Sequence, residues 1–433
     1  MQSIKILIPL HTEPATKSAI RIVIENLLPA LKQKVNVNVT WFVYTPDKLE
    51  HISNKSENEV ILDIHEFHNA LEVITKEKPD IIYAGPTWDS IDYAFSLAGK
   101  MMNIPVLDLT ISGFSFTRSK SKLIKSYLTR FFESSIPTDI NKNKKQFMRR
   151  GRFFVYKYLF LIKTQRAVGM NVTKIIHQLL IIIRLFLSNN RAIYDSRFAN
   201  TLHFLDNESL LKTFLGSGFD KSTLIVTGNP MYDETYRKLT QLKERKKDNC
   251  IHVLFASSTL YEHGFWTKDQ RDEITKDIVK CLNMYKDKIK LIVKIHPSTS
   301  MLSEYQALVN SIDSSIPVYQ NGDIFDFLLD SDIVISYKFT TAEIYAVLAR
   351  KPVIICNFFN EDSDMFVKRG LVDECKESSK LVDSIQKCLA SSYPKEKERQ
   401  EFIKEFMYKW DGLASERISE SIIELLKSRG TIN

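Results

Sequence analysis

Several clusters in the 433-residue chain hold residue types that can do chemistry, and each follows an apolar run. Ser257, Ser258 and Thr259 bring three hydroxyls together after the run ending at Ala256. Hydroxyls and backbone amides bunched in this way hold phosphate oxygens without a cation, and can equally cap a following helix. His296, placed before Pro297 after the run Leu291 to Ile295, can donate to a phosphate or exchange protons near neutral pH. Lys338, Thr340, Thr341 and Glu343 follow the apolar run ending at Ser336. A Thr at the start of a helix with Glu three residues on is a capping box, and the same helix end is an anion site. Gly228 and Asn229 sit in Thr-Gly-Asn-Pro, first of all a turn signal. Near the amino terminus His11 and Glu13 follow the first apolar run, and Asp89 follows another that ends at Ala84. Any of these three can take a proton from a hydroxyl, and Asp89 can instead cap a helix.

The elements that must position these groups alternate. Strand signals at Ile4 to Pro9, Val35 to Tyr44, Val60 to Ile64, Asp80 to Ala84 and Pro105 to Leu109 are separated by amphipathic helical patterns. A second alternating block begins with His252 to Ala256 and continues through Lys290 to Ile295, Pro317 to Tyr319, Ile333 to Ser336 and Pro352 to Cys356. This order specifies α/β architecture: two Rossmann-like, doubly wound domains facing across a cleft, with ligands at the carboxyl ends of the strands. The expected division is a first domain over 1–200, a second over 201–394, and carboxyl-terminal helices over 395–433 packing back toward the first. A polar run from Leu239 to Asn249 reads as a solvated helix end or a linker.

The formal net charge of +8 is uneven. From Arg118 to Arg191 there are 17 Lys and Arg against two acids, so the rest of the chain is net acidic. The insertion 118–191 interleaves these cations with Tyr127, Phe131, Phe132, Phe147, Phe153, Phe154, Tyr156, Tyr158, Leu159 and Phe160. Such a helical segment suits an anionic membrane surface, and it equally suits a solvated insertion whose apolar residues cover part of the core. Nucleic acid is not the expected partner, because no RNP run, zinc finger or Gly-rich clamp accompanies the charge. Five cysteines without CxxC spacing specify neither a disulfide framework nor a zinc site, which fits a reducing, cytoplasmic setting. No stretch reaches the ~20 apolar residues of a membrane span. Asp330-Ser331-Asp332 and Asp362-Ser363-Asp364 resemble acidic metal motifs but read as solvated surface, and neither a P-loop nor G-x-G-x-x-G occurs.

The order VTGNPMYD, a strand ending in SST, IVKIHPSTS, ISYKFTTAEIYAVLARKPVI and a late DGLASERI resembles the carboxyl-terminal domain of GT-B glycosyltransferases. Within that fold it is similar to the group of UDP-N-acetylglucosamine 2-epimerase and the CDP-glycerol glycerophosphotransferases of surface-polymer synthesis. The resemblance implies a second domain that binds a nucleotide-sugar donor. The pyrophosphate would rest on Ser257, Ser258, Thr340 and Thr341, with His296 near the phosphates and Glu343 on a ribose or sugar hydroxyl. The base would pack beside the loop Tyr319 to Asp323. It further implies a first domain that admits a glycan or lipid-linked acceptor, and transfer without cofactor or metal; the basic segment would hold such an enzyme on the cytosolic membrane face. An epimerase would carry E-A-G-L-R and P-E-E-x-N-R runs where this chain reads ISGFSFTRSK and then the basic segment. The glycerophosphotransferases have a W-H-G element where Ser112-Gly113-Phe114 stands. The expectation is a glycosyltransferase, with an epimerase-like isomerase or a catalytically silent nucleotide-sugar binding protein as alternatives.

Overall fold

The computed structural model describes residues 2–11, 19–49, 58–85, 89–110, 140–187, 196–240, 248–262, 265–297, 301–338, 340–390 and 395–433, with the side chains of 110, 140–151 and 183–187 outside the description. The chain forms two units, Met1–Arg237 with Ile403–Asn433, and Lys238–Phe402.

The first unit is built on a seven-stranded parallel sheet, β1 (Ser3–Leu10), β2 (Asn36–Val43), β3 (Glu59–Asp63), β4 (Ile81–Tyr83), β5 (Val106–Thr110), β6 (Leu202–Leu205) and β7 (Leu224–Val226). Its order is β3-β2-β1-β4-β5-β6-β7. Alternation across β1 shows why these strands are so apolar. Ile4, Ile6, Ile8 and Leu10 enter one core, and Leu7 enters the opposite one. A sheet covered on both faces leaves no solvated side for polar residues.

Helices α1 (Ala19–Lys32), α2 (Ala70–Glu77), α3 (Ser90–Met101), α4 (Ile140–Ala167), α5 (Val172–Leu187), α6 (Glu208–Gly216) and α7 (Met231–Thr240) accompany this sheet. The second unit carries β8 (Ile251–Ala256), β9 (Ile289–Lys294), β10 (Val318–Tyr319), β11 (Ile333–Ser336), β12 (Val353–Cys356) and β13 (Asp373–Cys375) in the order β10-β9-β8-β11-β12-β13, all parallel. Its helices are α8 (Lys268–Asn283), α9 (Leu302–Asn310), α10 (Ile324–Asp330), α11 (Thr341–Leu348), α12 (Met365–Lys368), α13 (Leu381–Ala390) and most of α14 (Glu396–Phe406). The tail returns to the first unit with α15 (Ala414–Ser428), whose Ile418, Ile422 and Leu426 pack with Val23, Ile24 and Leu27 of α1.

The boundary differs from the expected 200/201 division. β6 and β7 extend the first sheet by pairing β5 to β6 and β6 to β7, so residues 201–237 belong to the first unit. Chain division falls instead beside the polar run at 239–249.

The basic segment is helical where described, and its first helix is docked. Phe160 and Leu161 of α4 are buried in the first unit's core, Thr164 Oγ1 accepts the Ala70 amide at 3.0 Å, and the Tyr156 hydroxyl donates to the Ile64 carbonyl at 3.2 Å. Phe153, Tyr156 and Tyr158 are half-buried, leaving Phe154 and Leu159 exposed, so part of this aromatic series covers the core. Tyr127, Phe131 and Phe132 and the Phe147 side chain lie outside the described residues.

Candidate functional site

In each sheet the chain winds outward from a central strand and then returns to its other side. The two switch points are β1/β4 in the first unit and β8/β11 in the second. Strand exits diverge there and leave a crevice, the usual ligand position in open α/β sheets.

At the first switch point, His11 leaves β1, Tyr44 leaves β2, and Gly85 and Asp89 follow β4. Asp89 caps α3 by accepting the Ile91 amide at 2.9 Å, and its second oxygen lies 3.2 Å from Lys157 Nζ of α4. That ammonium also stands 5.6 Å from the centre of the Tyr44 ring, whose neighbour is the His11 imidazole at 6.3 Å between ring centres. Burial depresses the His11 titration below its ordinary 6.5; nearby Asp89 partly opposes this and Lys157 reinforces it. The imidazole is therefore neutral at physiological pH and able to accept a proton.

Behind it, burial first and then Asp89 and Asp108 push the Asp92 carboxyl well above the usual carboxylate range. The Tyr44 phenol is likewise raised, by burial first and then by Asp92 and Asp89. Asp108 in turn accepts from His203 Nδ1 at 2.9 Å. The other ring nitrogen, Nε2, accepts the Asn200 amide, which fixes the proton on Nδ1.

The structure thus brings His11 and Asp89 together. Glu13 lies outside the described residues. Tyr44, Asp92 and Lys157 complete the constellation, and none of them stood out in the sequence. Tyr44 reads as a strand-end aromatic and Asp92 as a polar helix position. Lys157 reaches the site from an inserted helix whose docking no spacing encodes.

At the second switch point, Ser257 and Ser258 leave β8 with both side chains buried; the Ser257 hydroxyl interacts with the Tyr305 and Tyr337 hydroxyls, and the Ser258 Oγ lacks a hydrogen-bond partner. Ser257 donates its amide to the Lys294 carbonyl, and the Tyr337 hydroxyl donates to the Ser258 carbonyl at 3.4 Å. Thr259 is half-buried and His296 is exposed at the exit of β9. One residue earlier, buried Lys294 donates to the carbonyls of Ile295 at 3.0 Å and Gln320 at 2.8 Å, and burial lowers its pKa.

Thr340 caps α11 through the Ala342 amide at 3.3 Å, and Thr341 is exposed in the first turn. Hydroxyls on one strand exit and a helix amino terminus on the next are groups of the kind that can hold an anion without a cation.

Lys338 holds a left-handed φ of 80°, and its buried ammonium is committed to Glu361 Oε2 at 3.2 Å and the Asp362 carbonyl at 2.6 Å. Such backbone strain in a residue other than glycine is paid for by its surroundings, here an ion pair and a buried strand exit. Glu343 is fully buried, with one oxygen accepting from the Ser336 hydroxyl at 2.6 Å and the other unpartnered. Burial, then the neighbouring Asp364, push its carboxyl up to about 8. Asp364 caps α12 with one oxygen, has none on the other, and is itself raised by burial.

Trp266 lies in the core, donating to Glu361 Oε1 at 3.1 Å and stacking 5.1 Å from Tyr337.

Gly228 and Asn229 belong to the first unit. Gly228 has φ of 82°, and a Cβ there would meet Ala414 and Arg417 at 3.4 Å. Asn229 accepts the Met231 amide at 2.9 Å and donates to Asp206 at 3.2 Å. Nearby, Asp233 caps α15 by accepting the amides of Ala414 and Ser415 and the Ser415 hydroxyl at 3.1, 2.8 and 2.7 Å. Arg417 closes the contact by donating to the Thr227 carbonyl at 2.7 Å. The resemblance read VTGNPMYD as part of the second domain, whereas here it anchors the tail to the first.

No protein-family model matches the chain, and no curated protein matches it in sequence. Solved structures do match in fold. A UDP-N-acetylglucosamine 2-epimerase from Listeria monocytogenes is 14% identical with a TM-score of 0.51, covering 96% of this chain and 95% of its own. The S. aureus MnaA–UDP co-structure is 17% identical with a TM-score of 0.50, covering 99% and 97%. The wall teichoic acid polymerase TagF soaked with CDPG is 11% identical with a TM-score of 0.54, covering 98% and 89%. The chain therefore shares the GT-B type of fold, two Rossmann-like units with a helical carboxyl-terminal tail, with the group its motif order resembled.

Proposed function

We propose that the chain is a glycosyltransferase that moves a sugar from a nucleotide-activated donor to a hydroxyl of a glycan or lipid-linked acceptor in surface polysaccharide or glycoconjugate synthesis, without a metal. The observation that carries this reading is the orphaned, buried hydroxyl of Ser258 at the exit of β8, whose neighbour β11 leads into the amino terminus of α11. A buried polar atom without a partner is costly unless a ligand supplies one. Phosphate oxygens of a leaving nucleotide would supply it, and the helix amides with His296 and Thr341 would offset the developing negative charge.

In the first unit His11 would accept the proton of the acceptor hydroxyl while the new glycosidic bond forms at the anomeric carbon. The bond to the nucleotide's phosphate oxygen breaks, and that oxygen keeps the electron pair. Asp89 would hold the imidazolium that results.

A thermal-shift screen against UDP-, GDP-, CDP- and CMP-linked sugars tests the donor site, since a ligand that binds only the folded chain raises its midpoint with concentration. One nucleotide class should shift the wild type. His296→Ala and Thr341→Val should each lose most of that shift while keeping the ligand-free midpoint, because both residues are exposed. Normal donor binding by both variants would remove the assigned phosphate cradle.

A further inference from the structure

The helical hairpin α4–α5 shows two sides. Its inner side is buried through Phe160, Leu161, Ile175 and Ile182. Its outer side leaves large apolar residues in water: Val172, Ile176 and Leu180 of α5 are 61%, 53% and 59% exposed. Their spacing of four places all three along one face of that helix. On α4, Val155 and Leu159 repeat the pattern at 56% and 48%. Most exposed apolar residues in soluble proteins are scattered singly, and a row along one helix marks an interaction surface.

Charge identifies what covers it. Together α4 and α5 carry 11 Lys and Arg and not one Asp or Glu, with Arg152, Lys163, Arg166 and Lys174 exposed. A second copy of this chain would bring the same cations against themselves. A bilayer carrying anionic headgroups accepts both features, since apolar side chains enter the acyl boundary while cations meet the headgroups. Among the described residues no helix is long and apolar enough to cross a membrane, so this contact lies along the surface.

We propose that the α4–α5 hairpin docks the protein on an anionic lipid surface, with Val172, Ile176 and Leu180 as its inserted row. The proposal deepens the lipid-linked acceptor reading and rests on it for its biological sense. Its test contains no nucleotide, so the donor site and the docking face can fail separately. Lys157 of the same α4 holds Asp89, so the docking helix also supplies part of the first unit's constellation.

The experiment is co-sedimentation of the full chain with phosphatidylcholine vesicles, with and without phosphatidylglycerol in equal proportion. Binding should require the anionic lipid and fall as salt is raised. The triple variant Val172→Gln, Ile176→Gln, Leu180→Gln should bind those vesicles at least tenfold more weakly, with an unchanged thermal midpoint. Because long apolar replacements can disturb a hairpin, Lys163→Glu with Lys174→Glu serves as a second variant at exposed positions and should also lose binding. Wild-type indifference to phosphatidylglycerol, full binding by both variants, or a wild-type dimer that the triple variant converts to monomer would each overturn the proposal.

Discussion

Replacing Glu343 with Gln probes the second switch point without any ligand. The folded carboxyl is pushed up to about 8 from an ordinary 4.5, by burial first and by Asp364 second. Between those two values the folded chain keeps a proton that the unfolded chain has released. The stabilisation this group contributes is therefore complete below pH 4.5, declines as pH rises through the window, and stays lost above about 8. Three and a half units correspond to roughly 5 kcal/mol over the whole window at ~1.4 kcal/mol each.

Gln has nearly the same shape, keeps an oxygen to accept from Ser336, and does not ionise. The two proteins should have similar midpoints at pH 5, and the variant should be the more stable at pH 8. With ~2–4 °C per kcal/mol for a domain of this size, the gap at pH 8 approaches ~10 °C, reduced to the extent that Asp364 takes up the released charge. Differential scanning calorimetry across pH 5 to 8.5 reads it directly. Parallel midpoint curves, or a variant less stable at every pH, would show that Glu343 is ionised in the fold and that the burial argument is wrong.

Two further substitutions test the first unit. Lys157→Gln removes a cation that lowers the His11 titration and frees Asp89, which raises it, so the imidazole should titrate at higher pH than in the wild type. In the wild type its neutral form, and the stability that goes with it, are complete above 6.5 and lost as pH falls through the depressed value; an NMR titration that leaves His11 unmoved in the variant would separate the two residues. Asp233→Ala leaves the buried amides of Ala414 and Ser415 without their cap and should cost ~2–4 kcal/mol in urea unfolding, with Asp233→Asn milder; a cost below ~1 kcal/mol would mean that α15 is held by its apolar face alone.

What the sequence discloses and what it withholds follow from how each feature is encoded. Parallel strands buried on both faces write themselves as short β-branched runs, so β1, β4, β8 and β11 and the residues just beyond them are legible. His11, Asp89, Ser257, Ser258 and Thr341 are all found in this way, from position after a strand. The tail is legible for a similar reason, since Asp411-Gly412 interrupts a helical period and the structure breaks between α14 and α15 there.

Residues that enter a site sideways leave no such mark. Lys157 lies 47 positions after the end of β5, and its place is set by the packing of Phe160 and Leu161 into a core shared with α2 and α3. The division at 237/238 is written as the polar run beside it, yet motif order draws the eye to an earlier boundary. Sheet membership is a matter of pairing, and β6 and β7 carry no signal of which sheet they will join.

VTGNPMYD and DGLASERI lie almost 190 positions apart, and the structure gives a physical reason for their occurring in one chain. Asp233 from the first string neutralises the exposed amides at the head of α15, where a carboxylate also complements the helix dipole. Arg417 from the second returns to the Thr227 carbonyl, and the left-handed turn at Gly228 makes room for Ala414. Each string completes the other's unpaired backbone groups, so neither is free to vary alone. Motifs of this kind report the fold, because they fasten the tail to the first sheet. The switch points differ, because buried groups there such as Ser258 and Glu343 keep an unpartnered oxygen that the fold itself does not satisfy.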